Sequence, residues 1–160
     1  MLNEPIVSVM TDDVQTVGPD QTLADVLDIV VEYAVHHVPV VADARLVGLL
    51  STTDLVPTGS DSRRRLGGRA ANNEFEKTPV RRVMQEELIT VPVGGTLLEA
   101  AELLARGDIH AVPVVGEDKS LAGIVTSTDL IRFLLNHLDL DANDHNGLVD
   151  ELDEPRPENL

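Results

Sequence analysis

The chain has 160 residues, 42% of them hydrophobic but only 2% aromatic, with no Trp and no Cys. That is enough for one domain or two small similar lobes around an aliphatic core, and it leaves no disulfide or thiolate chemistry. A formal charge of −16 argues against nucleic-acid binding, which needs a basic face.

The 28 acids stand against only two lysines, Lys77 and Lys119. Excess acid with scarce lysine resembles a halophile's cytosolic protein; the alternative is a merely acidic one. The opening "MLNEPIVSVM" lacks a basic region followed by a long apolar one, so no signal peptide is expected. No apolar run reaches the length of a membrane span, so a cytoplasmic protein without membrane contact is expected.

In chain order, Thr22 is a good N-cap with Asp25 at N3. Leu23, Val26, Leu27, Val30 and Ala34 then follow the spacing of one helical face. Next comes "VHHVPVV" at 35–41, with Pro39 inside a β-branched run. Proline cannot donate to a sheet ladder and belongs at a strand start or edge. Strands are predicted at 38–41 and 46–50, and a second helix opens at Ser51, with Pro57 stopping it early. Residues 57–78 are rich in Gly, Ser and Asn and read as a linker. Then Thr96 with Glu99 forms a capping box, Leu97, Ala100, Ala101 and Leu104 repeat the helical face, and Gly107 stands as its C′ glycine. "IHAVPVV" at 109–115 repeats the proline pattern, strands follow at 112–115 and 121–125, and a helix opens at Thr126.

These elements are an internal repeat. Shifted by 74, Pro5 meets Pro79, Met10 meets Met84, Thr16-Val17 meets Thr90-Val91, and His36 meets His110. After one inserted residue the shift is 75, and Gly48 meets Gly123 while Asp54-Leu55 meets Asp129-Leu130. The organisation is therefore a first repeat over 1–56, the linker 57–78, a second repeat over 79–136, and an acidic, disordered tail over 137–160. Each repeat reads strand, helix, strand, strand, helix. One alone would bury too little surface to be robust, so the two should pack together.

The ordered set "M-T … T-V … T-L … H-x-x-P-V-V … G-h-h-[ST]-x-x-D-L", occurring twice, resembles the cystathionine-β-synthase (CBS) domain, and the tandem resembles the CBS pair or Bateman module. The resemblance implies an α/β fold of two CBS repeats packed through small sheets with pseudo-two-fold symmetry. It further implies a regulatory module that binds an adenosyl ligand (AMP, ADP, ATP or S-adenosylmethionine), forms a homodimer through its helices, and signals to a separate effector protein. In the family the proline-bearing strand borders a cleft between repeats, which would excuse the missing donor of Pro39 and Pro113. One site would combine Ser51 and Asp54 with Thr90 and His110; the other would combine Thr126 and Asp129 with Thr16 and His36. His37 stands beside the first histidine, and Arg132 is a phosphate partner where the first repeat has Pro57.

Each of these residues also has a structural reading. Ser51/Asp54 and Thr126/Asp129 carry the S/T-x-x-D pattern of a helix cap, which spacing alone favours; the family favours ribose contact, and the roles are compatible. His36 and His37 are adjacent on an extended strand and point to opposite faces, so with no Cys no metal site is expected. "DLDANDHNGLVD" at 139–150 lacks the turn glycine and final Glu of a calcium loop. Arg63, Arg64, Arg65, Arg69, Lys77, Arg81 and Arg82 form a basic island that would either meet phosphates or pair with nearby acids. No nucleophile elbow or P-loop occurs, so no enzyme is expected. The alternative function is a ligand-free dimerisation scaffold or adaptor.

Overall fold

A computed structural model describes residues 3–55 and 74–137. Expectations for the closing helix at Pro57, for Arg63, Arg64, Arg65 and Arg69, for the loop at 139–150 and for the tail lie outside the described residues.

The first copy contains helix α1 (Leu23–Tyr33) and an antiparallel hairpin of β1 (His37–Ala42) and β2 (Arg45–Ser51). The second contains β3 (Val91–Pro92), α2 (Leu97–Leu104), β4 (Ala111–Val115), β5 (Leu121–Thr126) and α3 (Ser127–His137). β3 runs parallel to β4, and β4 pairs antiparallel with β5. In the first copy, the equivalent of β3 is reduced to one parallel bridge between Val17 and Val40. Short 3-10 turns at Ile6–Ser8 and Val80–Arg82 precede the copies.

Both helix starts form as their residues dictate. Thr22 and Asp25 cap α1 reciprocally, as Thr96 and Glu99 cap α2. The helix ends differ from expectation. α1 ends at Tyr33, and Ala34, expected on the helical face, is instead its C-cap in the left-handed region (φ 52). α2 caps at Ala105, so Gly107, at φ 83, lies two residues past the cap.

The prolines have a backbone answer. Val17 N–H donates to the Pro39 carbonyl (3.1 Å) and Val41 N–H to the Val17 carbonyl (2.8 Å). A strand residue presents its N and its C=O to the same side. The missing donor of Pro39 therefore faces the Val17 edge, where pairing stops after one bridge, and the β2 side of the hairpin is unharmed. Pro39 and Pro113 are both fully buried, so their rings serve the core rather than a surface.

Two hydrophobic clusters result, and neither belongs to one copy. The first gathers Val17, Leu23, Val26, Val38, Val40, Leu50 and Leu55 with Val80 from the second copy. The second gathers Val91, Ala100, Leu104, Val112, Val114 and Val125 with Ile6 from the first. The backbone repeats the exchange: Ile6 N–H reaches the Gly95 carbonyl (3.0 Å) and Val80 N–H reaches the Gln21 carbonyl (2.8 Å). Ile6 and Val80 are both fully buried. Each contributes about 1.5–3 kcal/mol to the other copy's core.

Candidate functional site

Each copy's leading segment continues from this exchange. Thr11 pairs with Ile124 of β5 through two hydrogen bonds of 2.9 Å, two residues before Thr126. Six residues later Val17 lies against β1. Residues 11–17 thus run from the end of the second copy's hairpin to the start of the first copy's, and Thr16 sits exposed on that crossing. The counterpart is the stretch 85–91. Gln85 pairs with Leu49 (2.9 and 3.0 Å), two residues before Ser51, and Val91 pairs with Val114 of β4, with half-buried Thr90 between.

Close approach at both crossings depends on glycine. A β-carbon on Gly48 would stand 2.5 Å from Met84 Sδ, and one on Gly123 would stand 2.7 Å from both Met10 Sδ and the Thr11 carbonyl.

The two carboxylates are caps. Asp129 Oδ2 accepts from Thr126 N–H (2.8 Å) and Thr126 Oγ1 (2.6 Å), while Asp129 N–H donates back to Thr126 Oγ1 (3.3 Å). Its Oδ1 accepts from Arg132 (3.3 Å). Asp54 Oδ2 accepts from Ser51 N–H (2.7 Å) and Ser51 Oγ (3.1 Å). The return bond is absent there: Asp54 N–H donates to the Ser51 carbonyl instead (3.0 Å), and Ser51 Oγ lies 2.5 Å from Thr53 Oγ1. Both residues are partly buried, and the Asp129 side chain is only 11% exposed.

The histidines border the same turns. The carbonyl of His36 accepts from Thr52 N–H (2.9 Å), and that of His110 accepts from Ser127 N–H (3.3 Å). Both rings are exposed. His37 is different: half-buried, it is pushed below the ordinary histidine pKa by desolvation, then by the nearby charges of His110 and His36, with Asp54 opposing. The charges of His110 from the second copy and of Asp54 from the first thus both act on His37. His37 has Ala111 as its counterpart, and this break in the repeat was the sequence signal for its separate role. Among the described residues, no group of three or more His, Asp or Glu is placed to hold a metal ion. No helix among them is long and apolar enough to cross a membrane.

Of the basic island, Arg81 pairs with Asp20, while Arg82 and Lys77 are exposed.

The CBS domain model matches the chain twice, at residues 6–58 and 80–136. The protein MJ1225 of Methanocaldococcus jannaschii is 34% identical over 134 residues, covering 82% of this chain and 47% of that protein. Its crystal structure superposes with a TM-score of 0.72 at 29% identity, covering 83% of this chain and 48% of that one. The CBS domain-containing protein YhcV of Bacillus subtilis is 31% identical over 121 residues, covering 76% of this chain and 79% of that protein. The CBS-pair protein CBSX2 of Arabidopsis thaliana superposes with a TM-score of 0.74 at 27% identity, covering 84% of this chain and 96% of that one. CBSX2 is also known in complex with AMP, at a TM-score of 0.69 and 26% identity, covering 84% of this chain and 99% of that one. The chain thus spans less than half the length of some curated relatives, MJ1225 among them.

Proposed function

Because the chain belongs to the CBS-domain family and carries the domain twice, we propose that it is a regulatory module binding an adenosyl ligand: AMP, ADP, ATP or S-adenosylmethionine. The ligand sits between the copies and acts without catalysis, in the cytoplasm. Its binding changes the shape or stability that an effector protein reads. The observation that carries this reading is the double crossing. Residues 11–17 and 85–91 each link the strand that precedes one copy's S/T-x-x-D turn to the other copy's proline strand. The ligand contacts are Ser51, Asp54, Thr90 and His110 in one cleft, and Thr126, Asp129, Arg132, Thr16 and His36 in the other. His37 borders the first cleft, and the buried Pro39 and Pro113 back the two clefts from the core side. The AMP complex of CBSX2 supports the ligand class.

A second reading has its own observation. Oδ2 of both aspartates already holds a cap, so a ligand-free dimerisation scaffold would need the same residues. A thermal-shift panel separates the two. A ligand at a hundred times its Kd stabilises the fold by about 2.7 kcal/mol. A rise in melting temperature with AMP, ATP or S-adenosylmethionine is expected; none with any of them supports the scaffold. Either reading includes a homodimer, since α1 exposes Leu27, Val31 and Tyr33 and α3 exposes Ile131, Leu134 and Leu135. Light scattering at micromolar concentration should give twice the chain mass.

A further inference from the structure

The outward helix faces of the two copies are not alike. α1 exposes Leu27, Val31 and Tyr33, and Val31 is 73% exposed. At the shift of 74, the places of Leu27 and Val31 are taken by Ala101, on α2, and by Ala105, its C-cap. α2 packs beside α3, and α3 adds Ile131, Leu134 and Leu135 to the second copy's outer surface. One face therefore carries a row of large side chains, and the other a row of small ones with large ones on the neighbouring helix. The charges differ too. Asp28 and Glu32 each follow a residue of the large row, whereas Glu102 and Arg106 follow Ala101 and Ala105, and Arg132 follows Ile131. All five are exposed. Glu32 thus has an arginine as its counterpart.

A closed two-fold dimer could bury these faces in two ways. Head to head, each face meets itself: Leu27 and Val31 press against their own copies, the alanine rows face each other, and Asp28 and Glu32 oppose Asp28 and Glu32. Head to tail, the large row meets the small one, and the acidic face meets the face that carries Arg106 and Arg132. Close packing favours large against small, and opposed like charges disfavour the first arrangement. Resting on the homodimer proposed above, we infer that a second copy of this chain covers these faces head to tail. α1 of each chain then lies on α2 and α3 of its partner, with Leu27 and Val31 against the partner's Ala101 and Ala105, and Glu32 toward the partner's Arg106.

The chain has no cysteine, so cysteines introduced singly report which faces meet. Tagged Val31→Cys chains and untagged Ala105→Cys chains are mixed, allowed to exchange partners and treated with a short bis-maleimide. Leu27→Cys with Ala101→Cys repeats the test, and light scattering checks that each variant keeps the dimer mass. Head-to-tail docking should give a tagged–untagged product from the mixture and little product from either variant alone. Products from Val31→Cys alone and from Ala105→Cys alone would show head-to-head docking, overturning the inference while leaving the homodimer standing. A dimeric mass with no cross-link from either pair would overturn it as well, by placing the interface on another face. A monomeric wild type would remove the homodimer and the inference together. Charge gives a readout that needs no cysteine. Glu32→Lys should weaken the dimer about threefold or more, and adding Arg106→Glu to the same chain should restore it. Weakening without restoration, or none at all, would overturn the pairing of these two faces.

Discussion

Met84 fills the space that a side chain on Gly48 would need: a β-carbon there would stand 2.5 Å from Met84 Sδ and 3.0 Å from its Cγ. Met10 and Gly123 repeat the relationship on the other side of the pseudo-two-fold, with the Thr11 carbonyl also 2.7 Å from the added carbon. Each methionine comes from the copy opposite its glycine, so these seats help hold the exchanged segments. Overpacking of this kind costs about 1–3 kcal/mol. Gly123→Ala should cost more than Gly48→Ala, because Thr11 is fixed by two hydrogen bonds to Ile124 whereas a methionine side chain can swing away. Urea denaturation of the single and double variants checks this. Met84→Ala should rescue Gly48→Ala, and Met10→Ala should rescue Gly123→Ala only in part. Equal and full rescue on both sides would show that the Thr11 carbonyl is not the obstacle.

The sequence made the equivalences legible but not the partners. Met10 with Met84 and Gly48 with Gly123 stood out as matched positions, because a repeat reports which residues occupy the same place. It does not report which of them touch, and the crosswise packing leaves the apolar pattern unchanged. Ile6 and Val80 were missed as core for the same reason: each lies in a short 3-10 turn with no periodicity to reveal a buried face. The capping boxes were legible because their chemistry is local. The end of α1 was not, since Ala34 takes φ 52 where glycine would be the expected signal. Nor was the tight β1–β2 turn, where Asp43 and Ala44 take φ 50 and 64 without glycine.

His37 gives a pH dependence whose direction follows from its surroundings. Burial, then His110 and His36, favour its neutral form in the fold, against Asp54. Between its folded pKa and the unfolded value of 6.5, the unfolded chain binds more proton, so stability rises with pH across that window. The contribution is fully present above pH 6.5 and is lost as pH falls toward the folded pKa. Melting temperatures from pH 7.5 down to 5.5 should therefore decline, and His37→Gln should flatten the decline. An unchanged slope in His37→Gln would move its origin to another group.

Asp129 offers a way to separate capping from ligand contact. Its Oδ2 caps Thr126 and its Oδ1 holds Arg132. Losing the cap should cost about 1 kcal/mol of stability. Losing a charged acceptor to a ribose hydroxyl should cost about 1.5–3 kcal/mol of binding, roughly ten- to a hundredfold in affinity. Asp129→Ala is expected to show both effects, by melting and by calorimetry with AMP. Asp54→Ala should lose less stability, because among the described residues no arginine pairs with Asp54 as Arg132 pairs with Asp129. Should Asp129→Ala melt earlier yet bind AMP as tightly as wild type, the carboxylate is a cap alone and the ribose contact must be given up.

The acidity itself makes a further prediction. A formal charge of −16 with only two lysines places most of the chain's carboxylates without a cationic partner. Among the described residues the ion pairs are Arg81 with Asp20 and Arg132 with Asp129, and an exposed pair such as Arg81 with Asp20 contributes at most about 1 kcal/mol. Net like charge works against the compact state, since folding brings the charges closer together than the open chain does. Salt relieves this by screening, and the relief should continue well above physiological ionic strength as the Debye length contracts to about 3 Å at 1 M. The melting temperature should therefore rise steadily from 0.1 M to 2 M KCl. Potassium chloride suits the test because sulfate would also strengthen apolar burial and blur the cause. A charge-reduced variant, Asp12→Asn/Asp13→Asn/Glu86→Gln/Glu87→Gln, should melt higher than wild type in 0.1 M KCl and converge with it at 2 M. Convergence is the decisive part: repulsion vanishes under screening, whereas a packing or hydrogen-bond change would persist at every salt concentration.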